Sequence, residues 1–287
     1  MAELGLRPLS LGEILDRTFS LYRRNFVLFV GITAIPHLLT LALNLCQVFL
    51  VKYPATTPLG RPSSTSVSGG LMAFGIFGAL VAIIIYLVTY LFSQGATIFA
   101  VSELYLGRST SISESLGRVW GQLANLFGVL LLNGLAVMGG FILLIIPGIY
   151  IACRLITCVP AALLEDLGPR TSLERSFFLT KDNAGRAFLI YLLYFVLLYS
   201  IAFVFALPFG VGIAMSAKDP AMLRFWTGFL QVGSFLAEVF ISPILLIATS
   251  VFYYDLRVRK EAFDLQLMMY PSGNVPSGTS SVPSMLS

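Results

Sequence analysis

The chain has 287 residues, of which 57% are hydrophobic and 11% charged; 18 basic and 14 acidic side chains give a net charge of +4. Soluble domains carry about 25% charged residues, and the mean hydropathy here is +0.88. A body of this size cannot hide so much apolar surface from water, which excludes a disordered chain, a disulfide-built secreted domain and an ordinary soluble enzyme.

At about 20 residues per helical span, the chain is expected to be an all-α polytopic integral membrane protein. The first 25 residues are mixed polar, with Glu3, Glu13 and Asp16, so they do not read as a cleavable signal. The first apolar run is Phe26–Val51, followed by a loop rich in Pro, Ser and Thr. The second run, 71–100, leads into a mixed segment that ends near Gln122. From Leu123 to Leu164 there are 42 residues with one charge, Arg154. A single helix of that length would measure about 63 Å, twice the hydrocarbon core. It must fold back, and Pro147-Gly148 is the expected turn, giving spans 123–146 and 149–164. The fifth and sixth spans are placed at 187–216 and 227–254. Residues 1–268 are read as a single membrane domain, and the Ser, Pro and Gly of 269–287 as a disordered tail.

Thirteen of the basic residues fall in the N-terminal arm, the second and fourth loops and the C-terminal stretch, against four on the opposite face. The positive-inside rule then places both termini in the cytoplasm. Three segments carry a capping-box pattern: Ser10 to Glu13, Ser111 to Glu114 and Thr171 to Glu174. Leu11, Leu15, Phe19, Tyr22 and Phe26 share their spacing with Ile112, Leu116, Trp120, Leu123 and Phe127, one face of an α-helix. The expected plan is therefore three hairpins, each preceded by an amphipathic helix in the cytoplasmic interface. Phe19, Tyr22 and Trp120 are its expected interface anchors.

Several stretches resemble the bacterial membrane-domain family named after glycerophosphoryl diester phosphodiesterases. They are Arg7–Phe19 (RPLSLGEILDRTF), Ile145–Leu155 (IIPGIYIACRL), Val159–Asp166 (VPAALLED), Ser172–Asn183 (SLERSFFLTKDN) and Tyr253–Asp264 (YYDLRVRKEAFD). The resemblance implies a six-helix membrane module. Some relatives are fused to a phosphodiesterase barrel, which is not expected here; its histidine and carboxylate set has nothing to map onto in a chain with one histidine.

The chemistry of sites points the same way. The three cysteines, Cys46, Cys153 and Cys158, lie in apolar stretches at no metal spacing. There is no metalloprotease, phosphate-loop or dinucleotide motif. No basic run is interleaved with aromatics as a nucleic-acid binder would need. No enzyme activity, cofactor, metal or nucleic acid is expected.

Three residues of the His, Lys, Arg, Asp and Glu set stand inside spans: His37, Arg154 and Glu238. An intramembrane charge is costly and is expected to pair or to line a cavity. At 1.5 Å per residue, Arg154 lies ~10 Å and Glu238 ~15 Å from the outer ends of their spans, which predicts an Arg154–Glu238 pair with His37 nearby. The expected function is a non-catalytic module that organises lipids or partner proteins at the cytoplasmic leaflet. Its partners would be membrane lipids and either a second protein or further copies of itself. The alternative is a small-solute or lipid transporter with the polar cluster as its site. A polar cavity reaching Glu238 would favour transport, and a tightly packed bundle the module.

Overall fold

A computed structural model describes residues 8–50, 69–216 and 219–261. The N-terminal seven residues, the first interspan loop and the C-terminal tail lie outside the described residues, as does the disorder expected of that tail. Among the described residues there are ten helices and no strand, and six segments are long and apolar enough to cross a membrane.

Helix α1 (Leu11–Arg24) starts at the expected capping box. The Ser10 hydroxyl accepts from the Glu13 N–H at 3.3 Å, and the Glu13 carboxylate accepts from the Ser10 N–H at 2.7 Å. Two donors that a helix start leaves orphaned are thereby satisfied. Asn25 alone separates α1 from α2 (Phe26–Leu50). Helix α3 (Gly69–Tyr105) precedes α4 (Ile112–Trp120), where only half of the second box forms. Ser111 accepts from the Glu114 N–H, but the Glu114 carboxylate turns to Arg118 at 3.1 Å.

The third box does not form. Helix α8 (Pro169–Leu179) begins earlier, because Pro169 takes the first helical position with Gly168 before it. Proline suits that position, where its missing N–H is no loss. Thr171 is thus inside the first turn, bonded to the Gly168 carbonyl at 2.9 Å, and Glu174 pairs with Arg170. Two of the three expected helix starts therefore carry the cap, and the third is set by proline.

The fold-back also differs from expectation. Helix α5 (Leu123–Leu143) and α6 (Ile145–Arg154) meet at Leu144, whose extended backbone (φ −173°, ψ 160°) makes the turn. Pro147 and Gly148 lie inside the first turn of α6 instead. Gly148 is needed there for packing: a Cβ on it would sit 2.6 Å from the Phe141 ring. The expected fourth span is broken as well. Residues 155–157 interrupt it, and α7 (Cys158–Leu164) follows, its residues 158–163 all buried. Helix α9 (Ala184–Met215) and α10 (Pro220–Glu261) complete the chain. Both α3 and α10 run well past the ends expected for their spans.

Helices α2, α3 and α9 all pack on α10, which forms the axis of the molecule. The fully buried core gathers toward one end, around Leu9, Ile14, Ile98, Leu155, Phe252 and Tyr253. Elsewhere large apolar side chains face outward, among them Ile83, Leu135, Phe203 and Val204. A contiguous apolar exterior of this kind is what acyl chains cover.

Candidate functional site

Helix α2 meets α10 at a polar crossing. The Thr33 hydroxyl bonds the Phe29 carbonyl of its own helix at 3.0 Å and lies 3.2 Å from the Val239 carbonyl. One turn further on, Nδ1 of His37 lies 2.8 Å from the Thr33 carbonyl, and Nε2 lies 3.2 Å from Oε1 of Glu238. A carbonyl only accepts, so Nδ1 carries the hydrogen. Nε2 then either accepts from a protonated Glu238 or, as part of an imidazolium, donates to the carboxylate. Both forms are neutral as a pair, which removes the cost of a lone charge in a low-dielectric setting.

Glu238 has a second side. It lines a cavity of about 410 Å³ bounded by α3, α9 and α10, together with Tyr86, Tyr90, Gln94, Tyr194, Ser234 and Ser242. The Glu238 side chain is 41% exposed and that of His37 only 4%. The histidine therefore backs the carboxyl while the carboxyl faces the hollow. The Ser242 hydroxyl oxygen is buried and has no hydrogen-bond partner among the described residues. Small residues, Ala202, Ala206 and Ala237, leave the space open between the larger side chains. Volume and lining fall in the range of small-molecule sites.

Arg154 is not part of this crossing. Its guanidinium donates to the Phe177 carbonyl at 2.6 Å, the Tyr150 hydroxyl at 2.9 Å and the Thr180 hydroxyl at 3.2 Å. It also lies over the Phe177 ring. The expected Arg154–Glu238 pair does not form, because α6 ends at Arg154 and the Phe177–Thr180 segment holds that residue at the base of the hairpin. Residues 149–164 are not one span running from the outer face, since 155–157 break the helix. Glu238 is paired by His37 instead.

At the other end of α10 a layer of ion pairs closes the bundle. Asp255, whose side chain is wholly buried, accepts from the Leu9 N–H at 2.6 Å, Arg186 at 2.9 Å and Arg259 at 3.0 Å. The Leu9 carbonyl accepts in turn from Arg186 and Arg259. Glu165 accepts from Arg175 at 2.8 Å and from the Tyr253 hydroxyl at 2.6 Å, and Arg175 also pairs with Glu261. Burial works against the Arg175 cation, but hydrogen bonds and charge from Glu261 and Glu165 outweigh it and raise its pKa. This layer ties the N-terminal arm, α8, α9 and the end of α10 together on one face. The sequence reading missed it. Its signal was the alternation of charges in Asp255–Glu261, which puts opposite signs four residues apart.

The three aromatic residues expected as anchors lie on α1 and α4. Phe19 is 40% exposed and borders a hollow of about 10 Å³ between α1, α9 and α10, too small for more than a water. The Tyr22 hydroxyl donates to the Phe240 carbonyl at 2.8 Å. Trp120 is 72% exposed, its ring 5.7 Å from that of Phe92. Among the described residues no group of three His, Cys, Asp or Glu is placed to hold a metal.

Fold and composition define the class: an all-α polytopic membrane protein with both described ends on one charged face. Compared with known proteins, the chain matches no family model, no curated protein and no solved structure.

Proposed function

We propose that this chain binds a small solute or lipid in the cavity at Glu238 and carries it within or across a bacterial inner membrane. The observation that carries the reading is a cavity of about 410 Å³ that places a carboxyl and three tyrosines among membrane-spanning helices. Buried polar groups are expensive unless they are used. The His37–Glu238 pair can hold its proton on either partner, which suits a ligand with a cationic or hydrogen-bond-donating group. The basic residues of the ionic face, under the positive-inside rule, favour cytoplasmic termini. The stretches quoted above support kinship with the phosphodiesterase-named membrane family, without its catalytic barrel.

The test is native mass spectrometry of the purified chain beside Ala206→Trp, which fills the cavity from α9. A bound small molecule on the wild type that is lost from a folded Ala206→Trp supports the reading. Identical bound species on both would overturn it. Flux of the identified molecule in proteoliposomes, reduced in Glu238→Gln, would extend binding to transport. A second reading, a non-catalytic module that organises lipids or partner proteins, draws on the exposed apolar α5–α6 hairpin. The same membranes, cross-linked before solubilisation, would then yield a specific protein or lipid whether or not the cavity is filled.

A further inference from the structure

The α5–α6 hairpin has the composition of two membrane spans, but only α5, at 21 residues and about 31 Å, has the length of one; α6 has ten residues before the break at 155–157. Its base is fixed. The Arg154 carbonyl accepts from the Ser176 hydroxyl at 2.9 Å and the Thr180 hydroxyl at 2.9 Å, and its guanidinium grips the same segment. Thr180 lies four residues before α9 begins. From that base, the ten residues of α6 reach about 15 Å to the turn at Leu144. The 32 residues of α9 run about 48 Å from the same level. The turn therefore stops roughly 33 Å short of the far end of α9, and further short if the hairpin tilts. Phe203, Val204, Leu207, Val211 and Met215 stay exposed along that remaining length, so the apolar exterior continues far beyond the turn.

The turn itself is wrong for water. Ile142, Leu143, Leu144, Ile145 and Ile146 are 80%, 74%, 69%, 68% and 81% exposed, and no side chain from 139 to 149 can form a hydrogen bond. These five consecutive residues point to all sides of the tip. A protein pocket covers one face of such a tip, whereas acyl chains cover all of them.

The backbone is economical in the same sense. The Leu144 N–H bonds the Gly140 carbonyl at 3.1 Å, and the Gly148 N–H bonds the Leu144 carbonyl at 3.2 Å. Pro147 has no N–H, so of the four donors orphaned at the start of α6 only those of Ile145 and Ile146 stay open. Close packing of Gly140 on Gly148 keeps the hairpin narrow. Tyr150 and Arg154 supply polar groups only at its base.

We infer that α5–α6 is a monotopic hairpin. It enters and leaves the bilayer from the face that carries Asp255, with its Phe141–Ile146 turn immersed in the acyl chains of that leaflet. The chain then crosses the membrane four times, through α2, α3, α9 and α10, and its ends still share one face.

The test uses the full chain with Cys46→Ala, the buried Cys153 and Cys158 left in place, and a single added cysteine at Ile142→Cys. Ile146→Cys is a second site should the first misfold, and Ser113→Cys on α4 is the water-facing control. In sealed vesicles treated with a membrane-impermeant maleimide from either side, labelling at the turn is expected to be lost relative to Ser113→Cys. A spin label at the turn is expected to collide with oxygen far more than with a water-soluble nickel chelate, at a depth within the leaflet on the Asp255 side. Labelling from the face opposite Asp255 would show a crossing hairpin and overturn the inference. Labelling from the Asp255 face would show a turn in water and overturn it too. Oxidative cross-linking into dimers, or exclusion of both oxygen and nickel, would put protein on the tip and likewise overturn it.

Discussion

The Nε2 of His37 on α2 and the Oε1 of Glu238 on α10 lie 3.2 Å apart, two residues 201 positions distant in the chain joined at a helix crossing. The histidine is fixed from behind by the Thr33 carbonyl, and the carboxyl is left facing the cavity. Removing the imidazole by His37→Ala should lower the unfolding free energy by about 1–3 kcal/mol, the range for leaving a buried polar partner unsatisfied. Thermal melting in detergent measures this, and an unchanged midpoint would mean that the pair contributes nothing.

The partners of Arg154 make a second prediction. Arg154 and Glu238 share no hydrogen bond, so a double-mutant cycle of Arg154→Ala with Glu238→Ala should be additive within about 0.5 kcal/mol. The cycle of His37→Ala with Glu238→Ala should not be, because those two side chains touch. Coupling between Arg154 and Glu238 of a kcal/mol or more would contradict the geometry.

Asp255 holds two arginines and the N-terminal arm at once. Asp255→Ala leaves Arg186 and Arg259 facing each other without their carboxylate, a loss of about 3–5 kcal/mol for a broken buried pair. Trypsin should then cleave sooner at Arg17, as α1 is released from α10. Asp255→Asn keeps acceptor and shape and should cleave at an intermediate rate. Equal cleavage of all three proteins would place the arm's stability elsewhere.

Two adjacent glycines on α5 should behave differently. A Cβ on Gly140 meets the Gly148 backbone at 2.9 Å, while Gly139 has nothing within 4 Å. Gly140→Ala should therefore destabilise by about 1–3 kcal/mol through overpacking. Gly139→Ala should be neutral or slightly stabilising, since alanine favours the helix. The two melting curves, measured side by side, decide this; a reversal of their order would show that the hairpin packs through another face.

The amino-acid sequence by itself determined the class, the helices and much of their starts. Apolar runs such as Phe26–Leu50 and Ala184–Met215 leave no alternative to helices in lipid, because each backbone group must be satisfied within its own segment. The box at Ser10 was legible because capping is local chemistry over four residues. His37 and Glu238 were legible as candidates because a polar residue in an apolar run is conspicuous. What lay beyond the sequence was depth and partnership. Arg154 looked equivalent to Glu238 when residues 149–164 were read as one span. The break at 155–157 and the grip of Ser176 and Thr180 on its carbonyl set it at the base of a short hairpin. The ion-pair layer needed Leu9, Glu165, Arg186 and Asp255 brought together from four distant segments. The cavity needed α3 and α9 each to pack on α10 while leaving space between them. Periodicity along one helix reports which face is apolar. Only the packing of several helices decides which polar groups on those faces meet, since that depends on crossing angles and lengths summed over the whole chain.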